Sequence, residues 1–237
     1  YADLYVNGDL LTEVVLPDTM TRIRPALFYG CKTLRSVVFP KNLKVIDDCA
    51  FSNCTGIENL ELPQGLDSIK SSAFSGCKRL KDMHLPQELK YIGMMAFGSC
   101  TELISVSFPN KLENIAYGAF ESCKSLQSVV LPEGLKSIES CAFQNCISLT
   151  SVKLPSTLRF IGDCAFNQCN VGFEFASIVP PTIEGMNPLG DEDNLLYVPE
   201  EGIEAYRTAW SDKVNDILCL ERQHDWDVTV EAEEKSS

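Results

Sequence analysis

The 237-residue chain has few of the residues and patterns that identify enzymes, metal proteins and membrane proteins. It contains two histidines, His84 and His224, and no Cys-x-x-Cys pair, so the ligand spacing of a tetrahedral zinc site is missing. No nucleophile elbow, phosphate-binding loop or dinucleotide fingerprint is present. No apolar run approaches the ~18 residues of a membrane-spanning helix. These absences predict a chain without catalysis, cofactor or metal, and without membrane insertion.

Basic residues are scarce relative to acidic ones, and the imbalance is confined to one part of the chain. The whole chain has 33 acidic and 20 basic residues, a net charge of −13. Residues 1–171 hold 17 acidic and 16 basic residues, whereas residues 172–237 hold 16 and 4. A near-neutral body with an acidic end disfavours nucleic acid and anionic membranes as partners.

The N-terminus lacks the charged-then-apolar pattern of a secretory signal. Residue 1 is tyrosine rather than an initiator methionine. We therefore expect the chain to be a mature or excised fragment whose targeting signal lies outside it.

What the sequence has in abundance is internal repetition with a period of 23 residues. The unit reads L-x-x-V-x-L-P-x-x-L-x-x-I-x-x-x-A-F-x-x-C-x-x and occurs seven times without an insertion. Such self-similarity is the signature of a repeat protein. Four residue types keep the spacing throughout: Pro17, Pro40, Pro63, Pro86, Pro109, Pro132 and Pro155; Ile23, Ile46, Ile69, Ile92, Ile115, Ile138 and Ile161; Phe28, Phe51, Phe74, Phe97, Phe120, Phe143 and Phe166; and Cys31, Cys54, Cys77, Cys100, Cys123, Cys146 and Cys169.

Each unit predicts one coil of a solenoid. The alternation Val-x-Leu, as in Val106-Ser107-Phe108, predicts a short strand of a parallel sheet, which the following proline ends. The Leu-x-x-Ile segment predicts a brief second extended contact, and Ala-Phe-x-x-Cys predicts a helical or 3₁₀ turn. One coil buries too few side chains to fold alone, so the coils must stack into a cooperative array.

Both ends of the array are predicted to carry caps. A strand, an Asn7-Gly8 turn and a second strand predict a hairpin at the N-terminus. After the repeats, strands are predicted at 173–175 and 195–199, followed by an amphipathic helix over 200–217. The predicted divisions are an N-terminal hairpin cap (1–10), the solenoid (11–171), a C-terminal cap (172–220) and an acidic linker or tail (221–237).

The pattern L-x-x-V-x-L-P…I-x-x-x-A-F-x-x-C, from Leu11 to about Cys169, resembles the BspA-like (Treponema-type) leucine-rich-repeat family. Residues 196–199, with Tyr206 and Trp210, are similar to that family's closing segment. The resemblance implies an α/β repeat fold, a right-handed leucine-rich-repeat solenoid of seven 23-residue repeats with a parallel concave sheet. Members of the family are mostly secreted or surface-attached proteins of host-associated anaerobic bacteria, and their known functions are adhesion and protein binding.

The cysteines allow more than one interpretation. We predict that the seven cysteines of the 23-residue column are small buried thiols that act as hydrophobic residues. Stacked coils also place equivalent residues about 5 Å apart, within disulfide reach, so Cys141 and Cys164 could pair. The sequence leaves the redox state of four cysteines open: Cys49, Cys141, Cys164 and Cys219.

The candidate site is the outward face of the predicted concave sheet, where solenoids usually bind their partners. Its serine-rich, lightly charged character favours a protein or glycan ligand over a highly charged one. The plain alternative is an inert, solvated sheet face. The predicted ligand-binding residues are Val15, Val38, Asn59, Glu61, Asp82, His84, Ser105, Ser107, Ser128, Val130 and Lys153.

Together, these patterns predict a monomeric module, extracellular or at the cell surface, that binds or adheres without catalysis. The expected ligand classes are a protein of the host extracellular matrix and a surface glycan. The alternative function is that of an architectural spacer in a larger surface protein, with no ligand of its own.

Overall fold

Two short extended segments per coil build the solenoid that the repeat predicts. The computed structural model describes residues 5–6, 9–190, 194–210 and 217–220. The chain winds through about nine turns with repeats about 23 residues apart, which confirms the parallel-sheet solenoid. The regular coils therefore continue into less regular turns beyond the seventh repeat.

The first strand of nearly every coil lies at the Val-x-Leu segment. These strands pair in parallel, as Val106 does with Met83 on one side and Val129 on the other. They form a two-stranded and a seven-stranded parallel sheet, which follow one another along the concave side and together make up the concave sheet. In chain order the strands are β3 (Glu13–Val15), β5 (Ser36–Val38), β8 (Asp82–His84), β10 (Ser105–Ser107), β12 (Ser128–Val130), β14 (Ser151–Leu154), β16 (Gly172–Phe175), β18 (Leu196–Pro199) and β19 (Ile217–Leu220).

The third coil departs from the prediction of one such strand per coil. Its segment 59–61 makes only an isolated bridge, between Asn59 and Asp82. The side chains nevertheless keep the predicted alternation, with Leu60 buried while Asn59 and Glu61 are exposed. Alternate burial fixes the direction of the side chains, whereas a ladder also requires aligned backbone hydrogen bonds.

The predicted second extended contact is confirmed at the Leu-x-x-Ile segment. Each of these strands is two residues long and ends at the isoleucine of the repeat. They form two four-stranded parallel sheets, with the break between Ile92 and Asn114. The strands are β4 (Arg22–Ile23), β6 (Val45–Ile46), β7 (Ser68–Ile69), β9 (Tyr91–Ile92), β11 (Asn114–Ile115), β13 (Ser137–Ile138), β15 (Phe160–Ile161) and β17 (Thr182–Ile183).

The segment from the second strand to the cysteine runs through consecutive turns instead of a helix. Backbone bonds from Ala96 N to Gly93 O and from Cys100 N to Phe97 O, both 3.2 Å long, close two of these turns. The third residues of the turns, Met95 and Ser99, have φ angles of +54° and +60°, as type II turns require. A left-handed residue cannot continue a right-handed helix, so the expected bonds form without a helix.

The phenylalanine column forms the centre of the core. From Phe28 to Phe166, rings of successive coils stack with centroids 5.0–5.5 Å apart and planes within 10° of parallel. Beyond Phe28, each ring in the column is completely buried. The column therefore crosses the boundaries between coils and makes one continuous hydrophobic core.

The predicted caps are present, with one correction. At the N-terminus, β1 (Tyr5–Val6) and β2 (Asp9–Leu10) pair antiparallel, while Asn7-Gly8 and the tail 221–237 lie outside the described residues. At the other end a 3₁₀ turn (Glu200–Gly202) leads into α1 (Ile203–Trp210). The prediction of a helix reaching residue 217 is wrong, because β19 begins there and extends the concave sheet by pairing in parallel with β18.

Candidate functional site

The predicted ligand-binding residues lie on the outward face of the concave sheet, where strand pairing aligns them in two rows. Ser107 lies between His84 and Val130 in one row, and Ser105 lies beside Asp82 in the other. The residues between the rows, such as Val106, point into the core. All eleven predicted residues are exposed except Ser105, which is half-buried.

Polar side chains of neighbouring strands contact one another along these rows. Ser105 Oγ donates a hydrogen bond to Asp82 Oδ1 at 2.7 Å. In the other row, His84 Nδ1 lies 3.3 Å from Ser107 Oγ. The centre of the sheet thus presents a small network of hydroxyl, carboxylate and imidazole groups to the outside.

This network does not have the connections of a catalytic triad. In a triad, a carboxylate orients the imidazole, and the imidazole accepts the proton of the nucleophilic hydroxyl. Here the carboxylate of Asp82 accepts from Ser105 and the imidazole of His84 contacts Ser107. Among the described residues, no hydrogen bond joins Asp82 to His84. The arrangement is suited to contacting a ligand through several polar groups.

A groove of about 420 Å³ opens at the edge of the concave sheet, in the fifth to seventh coils. Val130 and Lys153 belong to both this groove and the predicted site, so the concave sheet has a local depression at these residues. The groove is lined by Phe108, Asn110, Val129, Val130, Leu131, Pro132, Glu133, Lys153 and Pro155.

Glu174 joins the site without having been predicted. Lys153 Nζ lies 2.7 Å from Glu174 Oε1 of the next strand, so the outward lysine is part of an ion pair. Glu174 was missed because it lies beyond the seven regular repeats. Its position between the buried residues Phe173 and Phe175 is the signal that could have found it.

Three outward valines give the concave sheet two apolar spots. Val15 and Val38 are 70% and 48% exposed and face each other on β3 and β5. Val130, which is 77% exposed, lies at the groove. The polar network around His84 separates the two spots, so the site offers both apolar contact and hydrogen bonding.

The edge that follows the concave strands carries charges that are already paired between coils. Lys111 Nζ lies 2.7 Å from Glu88 Oε2, and Lys136 Nζ lies 2.7 Å from Glu113 Oε1. Such exposed pairs contribute little to stability. They neutralise this edge, which leaves the concave face as the better candidate for recognition.

The buried cysteine column does not contribute to the surface site. Its thiols are at most 4% exposed, as predicted. From Cys54 to Cys169, each donates to the carbonyl of the phenylalanine 26 residues earlier, with Sγ···O distances of 3.0–3.3 Å. Burial raises the pKa of Cys123 to about 12, so this thiol stays protonated. The sequence predicted the burial but not the hydrogen bonds.

Within the described residues, no group of three or more acidic, histidine or cysteine side chains converges as a metal site would require. The same residues include no helix with the length and apolar character needed to cross a membrane.

Parallel strands repeated every 23 residues, with a leucine-rich core and an open concave sheet, define a leucine-rich-repeat solenoid. The chain belongs to the BspA type leucine-rich-repeat family. The model of the BspA type leucine-rich-repeat region matches residues 2–127 and 115–173 in six copies. Folds of this family are generally non-catalytic repeat modules, and leucine-rich repeats generally mediate protein binding.

Solved bacterial structures share the fold. A leucine-rich-repeat protein from Bacteroides ovatus is 27% identical with a TM-score of 0.66, and the match covers 89% of this chain and 61% of that one. The Treponema pallidum leucine-rich-repeat protein is 34% identical with a TM-score of 0.63, over 67% of this chain and 77% of that one. No curated protein matches the chain.

Proposed function

We propose that the chain is a non-catalytic binding or adhesion module that recognises a protein or a surface glycan on its concave sheet, outside the cell or at the cell surface. Membership of the BspA type family supports the class of function. The two exposed rows of the concave sheet support the choice of face, because their side chains point outward and take no part in the core.

The observation that carries this proposal is the exposure of Val130 beside the groove. An outward valine that is 77% exposed gains little from folding, since its side chain stays in water. In a depression, the same side chain offers apolar area that a partner can bury. The adjacent ion pair of Lys153 and Glu174 adds charge of both signs at the rim of that contact.

The polar rows supply the complementary part of recognition. Equivalent residues of neighbouring strands are about 4.8 Å apart, so Asp82, His84, Ser105 and Ser107 present donors and acceptors at regular intervals. The backbone of an extended peptide, or the hydroxyl groups of an oligosaccharide, can form hydrogen bonds to groups at this spacing. A protein or glycan is therefore a better match than a highly charged polymer.

The first test is a binding screen of the purified chain against immobilised host matrix proteins and glycans. For a ligand found there, two variants probe the concave sheet: Val130→Ser, and a triple change of Glu61, His84 and Lys153 to alanine. We expect each to weaken binding by about tenfold or more, equivalent to at least ~1.4 kcal/mol, with an unchanged melting temperature.

A matched control is Val179→Ser, because Val179 is 60% exposed but lies outside the concave sheet. It should leave affinity unchanged. Equal loss in the control, or full binding by both concave-sheet variants, would refute the assigned face. Failure to bind any ligand of the panel would favour the architectural spacer.

A further inference from the structure

A second cysteine column lies in the turns, separate from the buried one. Cys49, Cys141 and Cys164 each directly precede the Ala-Phe pair of their coil and have φ angles of +54° to +59°. All three are free and half-buried, whereas the column thiols of the core are buried. Cys141 and Cys164 occupy this position in successive coils.

Backbone hydrogen bonds hold these two cysteines next to each other. Cys141 N donates to Asp163 O at 2.9 Å, and Phe143 N donates to Ala165 O at 2.8 Å. These bonds flank the pair, so the backbones of the two coils lie in direct contact on both sides. The nearby equivalent rings of Phe143 and Phe166 have centroids 5.3 Å apart, and this spacing of the two coils falls within the Cα···Cα range of about 4.4–6.8 Å found in disulfides.

The carboxylate of Asp163 lies near both thiols, whereas their other contacts differ. Their φ angles, +59° and +54°, are nearly equal, so equivalent positions in the repeat start their side chains in the same direction. Cys164 Sγ lies 3.4 Å from Asp163 Oδ1 and 3.9 Å from the carbonyl of Met186. The hydroxyl of Tyr117 lies against Cys141. Neither thiol belongs to the series of hydrogen bonds that the buried cysteines donate to phenylalanine carbonyls.

We propose that Cys141 and Cys164 are a modification site, at which a disulfide links two successive coils when the protein meets a low-molecular-weight disulfide such as oxidised glutathione. This proposal is independent of the proposed ligand-binding function. The link would hold the last regular coils together at the end that carries the helical cap.

The chemistry is a two-step exchange. One cysteine thiolate attacks oxidised glutathione, forms a mixed disulfide and releases one glutathione thiolate. The second cysteine then attacks the protein sulfur of the mixed disulfide and releases the other glutathione. The two protein thiols lose two electrons and two protons, and the two glutathione sulfurs gain them.

The protonation state of the thiols sets the conditions of the reaction. Burial is the main cause that raises the pKa of both Cys141 and Cys164 above the ordinary value. Thiolate is the attacking species, so the first step is slow at neutral pH and faster in mildly alkaline buffer. The second step is intramolecular and needs no further encounter.

Cys49 is a matched control within the same chain. It has the same place in its coil, but the equivalent residues of the adjacent coils are Ala26 and Ser72. Oxidised glutathione can form a mixed disulfide with Cys49. No cysteine lies at the equivalent position of either adjacent coil, so that mixed disulfide has no second thiol of its column to react with.

The test is to incubate the folded chain with oxidised glutathione in mildly alkaline buffer, quench with acid, alkylate after denaturation and analyse tryptic peptides by mass spectrometry. Trypsin cleaves after Lys153 and Arg159, so a Cys141–Cys164 bond joins two peptides. We expect this linked pair, an upward shift in melting temperature, and neither effect in Cys141→Ser or Cys164→Ser.

Three outcomes would overturn the proposal. Cys141 and Cys164 could carry separate glutathione adducts as Cys49 does, or remain free thiols. The linked peptides could also persist in the Cys141→Ser variant, which would show that the buried Cys146 and Cys169 had paired instead.

Discussion

The phenylalanine of each repeat is the residue on which the stacking depends most directly. Phe97 is completely buried and lies between Phe74 and Phe120, with ring centroids 5.5 and 5.3 Å away. Offset-stacked aromatic pairs add to the stabilisation that comes from burying apolar area. The sequence predicted this column because each phenylalanine keeps a fixed distance from the cysteine.

We predict that Phe97→Ala lowers the free energy of unfolding by about 3–5 kcal/mol, because it removes a large core side chain and leaves a cavity. Chemical denaturation measures the change. Tyr29→Ala, at an exposed aromatic residue, is the control and should cost about 0.5 kcal/mol or less. A loss below about 1 kcal/mol for Phe97→Ala would contradict the stacked core.

At the scale of elements, a charged pair joins the second strands of the first two coils. Arg22 of β4 hydrogen-bonds through Nε and Nη2 to the carboxylate of Asp47, the residue that follows β6, with an Nη2···Oδ1 distance of 2.7 Å. Asp47 is buried, whereas the side chain of Arg22 is 60% exposed. The hydrogen bond from Arg22 is the main cause that lowers the pKa of Asp47, against the opposing effect of burial.

This pair makes a pH dependence predictable. A carboxyl group whose pKa is lower in the folded state stabilises the fold above its unfolded pKa, about 3.8, and loses that contribution as pH falls through the folded pKa. The difference in unfolding free energy between the native chain and Asp47→Asn should therefore be constant above about pH 5 and shrink below it. Urea denaturation from about pH 3 to pH 7 measures it.

Asp18→Asn serves as the control, since Asp18 is exposed and makes no ion pair within the described residues. Its stability difference from the native chain should vary much less with pH. A difference for Asp47→Asn that stayed constant down to about pH 3 would mean that Arg22 does not lower the pKa of Asp47.

At the scale of the whole molecule, the aromatic core ends in the C-terminal cap. Phe166 meets Phe173 edge-on at 4.9 Å, and Phe175 in turn contacts Tyr206 and Trp210, each at 5.3 Å. The indole Nε1 of Trp210 donates to the carbonyl of Pro181 at 3.3 Å. The helix α1 thus covers an apolar end that the last coil would otherwise expose, as capping units do in repeat proteins.

We predict that Trp210→Ala lowers the free energy of unfolding by about 3–5 kcal/mol and loosens the C-terminal coils first. Hydrogen exchange resolved by peptide should show the largest loss of protection near β16 and β18, and a smaller loss near β3 and β5. Met186→Ala, at a side chain that is 79% exposed, is the control. Uniform loss of protection along the chain would instead show that all coils unfold together.

The repeat alone determined the solenoid, its two extended segments per coil, its buried columns and the outward rows of the candidate site. These features follow from hydrophobic periodicity, because alternate burial in a 23-residue unit leaves few ways to stack. The same pattern could not reveal the missing strand at residues 59–61, since Leu60 is buried whether or not the backbone ladder forms.

Only the tertiary structure decided the contacts that depend on distances across coils or on the cap. It paired Glu174 with Lys153 and the Cys54 thiol with the carbonyl of Phe28. It also showed that Ile217, predicted to be the last residue of the helix, begins a strand of the sheet. Local propensity favours a helix for an amphipathic segment, but a parallel strand at the sheet edge satisfies backbone groups that local sequence does not see. Periodicity sets which side chains point inward, whereas the partners of each polar group depend on the final stacking.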